Sequence, residues 1–102
     1  MKVYIAGPMS GYPRFNFDAF DAAATMLRES GHIPINPAEI DRLFGIDPDT
    51  FEETEEFRRN LFWLNLASLY SSDGIYLLDG WEHSRGACLE FAAANYLKLP
   101  RY

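Results

Sequence analysis

The sequence has one cysteine, no apolar stretch of 18 residues and no signal-peptide pattern. Cys88 has no second cysteine to pair with and no metal-binding neighbours at useful spacing. We therefore interpret it as a small buried hydrophobic residue rather than a reactive thiol. Without the apolar stretch and the signal we expect neither a transmembrane helix nor secretion. These absences predict a cytoplasmic protein with no membrane partner.

Basic residues are also few, because nine Lys and Arg stand against 15 Asp and Glu and give a formal net charge of −6. They are scattered, whereas nucleic-acid binding depends on clustered Lys and Arg, so we expect no nucleic-acid partner. No linker, internal repeat or low-complexity tract appears, which predicts one domain over residues 1–102. The aromatic content of 16% indicates a ligand pocket or subunit interface besides the core, or else simply a phenylalanine-rich core.

Short apolar runs predict three strands, namely KVYIAG, HIPINP with Pro34 at an edge position, and the run DGIYLLD. Helices are predicted after them, from a capping Asn16 to about Ser30, from about Phe51 to Tyr70, and from Arg85 to about Leu97. AEIDRLF is predicted to add one or two helical turns, and the closing LPRY is a candidate last strand. We interpret four glutamates near the start of the middle helix as solvated: Glu52, Glu53, Glu55 and Glu56.

Alternating strands and helices imply right-handed crossovers and a parallel sheet covered on both faces. The sequence thus predicts a small flavodoxin-like or Rossmann-like three-layer α/β sandwich with a parallel sheet of three to four strands. Ligands of such folds bind at the carboxyl ends of the strands, where the winding direction reverses. This rule predicts that the loops GPMSG and DGWEHSRG lie side by side.

The first of these loops is a candidate binding loop that consists of Gly7, Pro8, Met9, Ser10 and Gly11. Its glycines would let backbone amides approach an anion, but it lacks the spacing of a dinucleotide fingerprint or a phosphate-binding loop. A tight exit from the strand explains the same residues.

The start of the last helix is a second candidate, because Ser84 is a plausible N-cap. The backbone amides of Arg85, Gly86 and Ala87 then have no intrahelical partners, and Gly86 lets a ligand come close. Glu90 lies four residues after Gly86 and three after Ala87, on the same helix face and one turn deeper. A sugar held at the cap would meet its carboxylate, although Glu90 could equally be a surface residue.

Several segments together carry a resemblance to a known family: IAGPMSG, NFDAF, GHIPINPAEI, SSDGIYLLDGWEHSRGACLEFAAA and LKLPRY. They resemble the phage-type family of small nucleoside 2-deoxyribosyltransferase-like proteins. That family falls within the superfamily of nucleoside deoxyribosyltransferases and deoxynucleoside 5′-monophosphate N-glycosidases. The resemblance covers nearly the whole chain. Its most specific part is Gly-Trp-Glu-x-Ser-x-Gly-Ala ahead of a helical Glu.

The resemblance implies roles for three residues. Glu90 matches the nucleophile that attacks the anomeric carbon, and a carboxylate there can stabilise and capture an oxocarbenium-like state. Tyr4 matches a strand tyrosine that steadies the nucleophile by hydrogen bonding, or else is a buried aromatic residue of the strand. Ser84 matches a serine that touches the 5′-phosphate in nucleotide-hydrolysing members, which favours a nucleotide substrate, although an N-cap explains a serine equally well.

One position departs from the family pattern. Eight residues before Asp73 the family usually has an aspartic acid that protonates the leaving base, and this chain has Asn65. An amide can orient a base but cannot act as a general acid. Either Asp79, Glu82 or His83 takes that role, or turnover is lost and the protein only binds.

Four further residues complete the sequence-based assignments. Trp81 either stacks on a nucleobase or anchors its loop. Asn36 lies where the second strand ends and is predicted to reach the pocket, as is Glu82. We interpret His32 as structural. Neither histidine has a metal partner at helical spacing, so we expect no metal.

The sequence therefore predicts an enzyme that releases or exchanges the base of a deoxyribonucleoside or its monophosphate, through covalent glutamate catalysis and without a cofactor. The main alternative is a catalytically silent nucleotide-binding or interaction module. A flavodoxin-like flavin or nucleotide carrier is a weaker one, and the absence of a Ser/Thr-rich phosphate loop after the first strand argues against flavin. The aromatic content, together with relatives whose pockets borrow residues from a neighbour, predicts a homodimer or higher homo-oligomer.

Overall fold

The structure is a computed structural model that describes residues 1–102. It contains three strands, β1 (Lys2–Ala6), β2 (Ile33–Ile35) and β3 (Gly74–Leu77). It also contains four α-helices, α1 (Phe17–Glu29), α2 (Pro37–Leu43), α3 (Glu55–Tyr70) and α4 (Arg85–Tyr96). None of the helices is both long enough and apolar enough to span a membrane.

The three strands form one parallel sheet in the order β2-β1-β3. The chain first passes from β1 through α1 to β2, and then through α2 and α3 to β3 on the other side of β1. The winding direction therefore reverses at β1, as the doubly wound fold requires. The predicted α/β sandwich is confirmed, with three strands. The tail contributes only an isolated bridge between Arg101 and Ile75, not a fourth strand.

The two faces of β1 belong to two separate apolar cores, because successive strand side chains point to opposite faces. Val3 and Ile5 pack in a core with the apolar side of α1. Tyr4 and Ala6 pack on the other face, in a core that includes Leu69 of α3 and residues of α4. The central strand is thus covered by helices on both sides, and its Tyr4 side chain points toward α4.

The termini of two helices differ from the prediction. Asn16 does not cap α1 with its side chain, because its backbone is left-handed (φ 59°) and its Nδ2 donates to the carbonyl oxygen of Pro8 at 2.9 Å. Helix α3 begins at Glu55, later than predicted, since the Thr54 hydroxyl accepts a hydrogen bond from the Phe57 amide at 3.2 Å. The preceding segment of the chain is therefore a loop.

Replacing Gly7 by Ala should destabilise the fold, because an added Cβ would lie 2.7 Å from the Cβ of Leu78. A Cβ atom cannot move aside without its backbone, so we expect the free energy of unfolding to fall by about 1–3 kcal/mol. Urea denaturation measures this change. Gly86→Ala is the matched control, since its Cβ would meet no atom within 4 Å. Equal effects of the two substitutions would contradict a tight approach of β1 to the end of β3.

Candidate active site

A cavity of about 350 Å³ opens at the carboxyl ends of β1 and β3. This volume is within the range of small-molecule sites. The loop after β1, the start of α4 and the inner face of α3 form its walls, together with parts of α2 and of the segment between α2 and α3. Parts of the loops GPMSG and DGWEHSRG, namely residues 7–10 and 83–86, thus line one cavity, where the reversal of winding predicts a ligand site.

Glu90 lies at the buried face of α4, with 6% of its surface exposed. Its Oε2 accepts a hydrogen bond from the Tyr4 hydroxyl at 2.5 Å. Burial raises the pKa of Glu90 to about 7, and the hydrogen bond from Tyr4 acts in the opposite direction. The pKa of Tyr4 is raised well above its usual value, first by burial and then by Glu90. Tyr4 therefore keeps its proton and remains a donor to the carboxylate.

The start of α4 leaves free backbone donors beside this carboxylate. The Ser84 hydroxyl accepts a hydrogen bond from the Ala87 amide at 3.2 Å, as predicted for an N-cap. The amides of Arg85 and Gly86 then have no partner within the helix. No atom lies within 4 Å of where a Cβ of Gly86 would be, so a ligand can approach the backbone there.

The loop after β1 forms the adjoining wall. Gly7, Pro8, Met9 and Ser10 line the cavity, whereas Gly11 does not. The Ser10 hydroxyl donates to both carboxylate oxygens of Glu53, at 2.8 and 3.0 Å.

Glu53 also pairs with Arg58, and only 15% of its side chain is exposed. The interpretation of Glu53 as a solvated helical residue is therefore wrong. Because α3 begins later than predicted, Glu53 lies in a loop that turns back over the cavity.

Asn65 lines the cavity from α3. It is buried on the same helix face as Leu69, four residues later. Its Oδ1 has no hydrogen-bond partner, so the amide has an unused acceptor at the cavity wall. The structure thus brings Asn65 together with Glu90, Tyr4, Ser84 and the loop after β1.

Four other predicted site residues lie outside the cavity lining. Asn36 instead caps α2, because its Oδ1 accepts from the Ala38 amide at 3.0 Å and its Nδ2 donates to Asp21 at 3.0 Å. Trp81 packs on Phe91 with a ring centroid distance of 4.8 Å, an arrangement that anchors its loop. Asp79 and Glu82 are exposed.

The sequence analysis missed Asp41, which lies on α2 and lines the cavity. Only 3% of its surface is exposed, and its Oδ1 has no hydrogen-bond partner. Burial raises the pKa of Asp41 to about 7, against the opposing effect of Arg42 and with a contribution from Glu53. A spacing signal did exist, since Asp41 follows the buried Ala38 by three residues and so shares its helix face.

The structure contains no group of three or more His, Cys, Asp or Glu side chains that could hold a metal ion. His83 lines the cavity as an exposed residue, while the ring of His32 packs against Tyr102 at 4.8 Å between centroids.

Burial of Glu90 predicts that stability falls as pH rises from about 5 to 8. Between its ordinary pKa of 4.5 and the folded value of about 7, the native state keeps a proton that the unfolded state releases. Glu90 should therefore contribute a loss of about 3 kcal/mol in the free energy of unfolding across that window. Urea denaturation at several pH values measures it.

In this experiment Glu90→Gln should flatten the pH dependence, and the exposed Glu56→Gln should leave it unchanged. The remaining slope is expected to come largely from Asp41, whose pKa is also raised. If Glu90→Gln keeps the full slope, Glu90 is ionised throughout the range and burial does not raise its pKa.

Comparison with known proteins places this site in a family context. A 2-deoxyribosyltransferase from the psychrotolerant bacterium Bacillus psychrosaccharolyticus has the same fold, with a TM-score of 0.69 and 23% sequence identity. The match covers 99% of this chain and 69% of that chain. The fold is thus deoxyribosyltransferase-like. No curated protein matches the sequence significantly. Residues 1–100 match the family described as "Domain of unknown function (DUF4406)". The chain is therefore a member of the DUF4406 family.

Proposed function

We propose that this protein cleaves the N-glycosidic bond of a 2′-deoxyribonucleoside or its 5′-monophosphate, with Glu90 as the nucleophile. The observation that carries the proposal is the buried Glu90 carboxylate, held by the Tyr4 hydroxyl at 2.5 Å and open to a cavity of about 350 Å³. The fold shared with a 2-deoxyribosyltransferase supports the proposal.

The proposed reaction depends on two properties of Glu90, namely its burial and its hydrogen bond from Tyr4. Ionised Glu90 faces the anomeric carbon, where positive charge develops as the bond to the base breaks. The low-dielectric surroundings strengthen that attraction, and the hydrogen bond from Tyr4 fixes the carboxylate before the reaction begins. One carboxylate oxygen then forms an ester with the sugar. Water releases free deoxyribose, or a second base accepts the sugar and gives a new nucleoside.

The start of α4 is the part of the cavity that fits the 5′ side of the sugar. Ser84 and the free amides of Arg85 and Gly86 offer donors to a hydroxyl or phosphate group. Arg58 is engaged by Glu53, so the side chain of Arg85 is the cation that a phosphate would meet. The serine at the cap favours the monophosphate, as in the family branch that it resembles.

A catalytically silent binding module is the competing proposal, and Asn65 is the observation that favours it. Its amide cannot donate a proton as a general acid, and its unpartnered Oδ1 suits hydrogen bonding to a base. Such a module would bind deoxynucleosides or their monophosphates without releasing a base.

We further propose that the protein is a homodimer or a higher homo-oligomer. Helix α3 buries only Asn65 and Leu69 within the protomer, while Trp63 and Tyr70 on the same helix are 71% and 73% exposed. Exposed aromatic residues of this kind are enriched at subunit interfaces.

Replacing Glu90 by Gln should abolish most turnover while substrate binding survives. The amide keeps the size of the side chain but can neither balance the oxocarbenium-like charge nor form a stable ester. We expect the rate of base release to fall on the order of 10²-fold or more, and the affinity to change by less than about tenfold, or about 1.4 kcal/mol. Chromatography of released base and calorimetry on the same preparations measure the two quantities.

The substrate panel for this experiment comprises deoxynucleosides and their 5′-monophosphates, each with and without a free acceptor base. The exposed Glu82→Gln is the matched control and should retain wild-type turnover. Binding without base release by the wild-type protein under any condition would replace the enzyme proposal with the silent module. Near-wild-type turnover by Glu90→Gln would show that another group is the nucleophile.

Gly86→Leu should test whether substrate lies at the start of α4. The new side chain would project into open space, so the fold should be retained, but it would occupy the approach to the free amides. We expect the dissociation constant of the substrate to rise at least about tenfold, equivalent to about 1.4 kcal/mol, with little change in the unfolding midpoint. Unchanged affinity in a folded Gly86→Leu variant would locate the substrate elsewhere in the cavity.

A further inference from the structure

Asp41 is a buried carboxyl group that the covalent mechanism does not use. Its Oδ1 has no hydrogen-bond partner, although only 3% of the residue is exposed. Burying a carboxyl group without partners is costly, and native proteins rarely do so without a reason. Asp41 also lines the cavity that contains Glu90. These observations call for a role in the cavity rather than in the packing of α2.

The topology places Asp41 and Glu90 on opposite sides of the central strand. Helix α2 follows β2, helix α4 follows β3, and β1 lies between the two strands. The helices also cover different faces of the sheet, because Ala38 of α2 and Ala94 of α4 belong to different cores. A ligand at the end of β1 would therefore lie between the two acids. Both acids also raise the pKa of the Tyr4 hydroxyl, which indicates that both are near it.

No other group in the structure fits the missing proton donor as well. Asn65 is in the cavity wall but carries an amide. Asp79 and Glu82 are exposed and lie outside the lining. His83 lines the cavity from an exposed turn, where nothing holds its ring. Glu53 also lines the cavity, but its carboxylate oxygens are engaged by Ser10 and Arg58. Asp41 combines a buried position at the cavity and an unpartnered carboxyl oxygen with a pKa of about 7, which lets it carry a proton near neutral pH.

We propose that Asp41 is the general acid that protonates the departing base in the first half-reaction. This inference rests on the proposed function of Glu90. As the bond between the anomeric carbon and the base nitrogen breaks, its electron pair goes to the base, and Asp41 transfers its proton there. Glu90 meanwhile bonds to the anomeric carbon. Water then attacks that carbon, the ester electrons return to Glu90, and a water proton goes to Asp41, so both acids return to their starting states.

The test compares two leaving groups with different needs for protonation. A deoxynucleoside needs a proton on its base, whereas p-nitrophenyl 2-deoxyribofuranoside releases a stable phenolate without one. Asp41→Asn should lower base release on the order of 10²-fold or more, because general acid catalysis contributes about that much. It should change the release of p-nitrophenolate by less than about threefold, which is small on that scale. Glu90→Gln should lose activity on both substrates.

Asp18→Asn is the matched control, because Asp18 is an exposed aspartate of α1 whose loss should affect neither substrate. Asp41→Ala provides a second test, and circular dichroism and thermal melting verify that both Asp41 variants fold. Equal losses on the two substrates, or no loss on either, would overturn the role of Asp41 as the acid. A wild-type protein inactive on both substrates would instead refute the proposed function itself, so the two failures are distinguishable.

Discussion

The hydrogen bond between Tyr4 and Glu90 joins the central strand to helix α4 inside the molecule, and the geometry of the cavity depends on it. A carboxyl group at this depth needs a partner to limit the cost of losing water. The sheet supplies one because the alternation of β1 points Tyr4, rather than Val3 or Ile5, toward α4. The same bond orients the carboxylate toward the cavity. Burial raises the pKa of Glu90, so ionising it lowers the free energy of unfolding at neutral pH. In return the carboxylate is already oriented and desolvated before a substrate binds.

The two buried acids, Asp41 and Glu90, occupy similar positions in helices α2 and α4, each of which begins with a side-chain N-cap. After β2 the side chain of Asn36 caps α2 at the Ala38 amide, and Asp41 follows on the buried face. Near the end of β3 the side chain of Ser84 caps α4 at the Ala87 amide, and Glu90 follows three residues later. In both cases a small alanine allows close packing, and the acid lies about one turn beyond it. The carboxyl end of the parallel sheet thus receives two carboxyl groups, one from each of the two βα units that flank β1.

Much of the fold was predictable from local signals. Three short apolar runs specified the strands, Pro34 marked the edge, and Ser84 marked the start of α4. These features depend on periodicity and capping, which a few neighbouring residues decide. The start of α3 was not predictable in the same way. Four glutamates extend the helical composition upstream, and only the capping hydroxyl of Thr54 stops the helix at Glu55.

The site was only partly predictable for a different reason. Glu90 and Tyr4 could be singled out through the family resemblance, and the structure brings them within hydrogen-bonding distance. For Asp41 the spacing from Ala38 could indicate only a shared helix face, and for Glu53 no local pattern indicated its position, because what surrounds both residues is decided by distant parts of the chain. The surroundings of Asp41 on α2 depend on how the following segment folds back, and Glu53 meets Ser10 across 43 residues. A sequence pattern shows which face of a helix is apolar, but not which cavity that face meets.

The two sides of the cavity differ in how firmly they are held. Tyr4 belongs to a strand that is paired on both sides, and Glu90 is bonded to it. On the facing side no residue from 42 to 64 is buried, and surface contacts such as Arg14 with Asp49 and Arg58 with Glu53 hold the wall. Ion pairs at a surface contribute only about 0–1 kcal/mol each, and the aromatic contacts of Phe51 with Phe15 and Phe57 are only half-buried, so we expect this segment to open at a lower free energy than β1 or α4. The wall formed by residues 42–64 is therefore the side of the cavity that costs the least free energy to open, whereas Tyr4 and the inner face of α4, which hold the nucleophile, belong to a buried core.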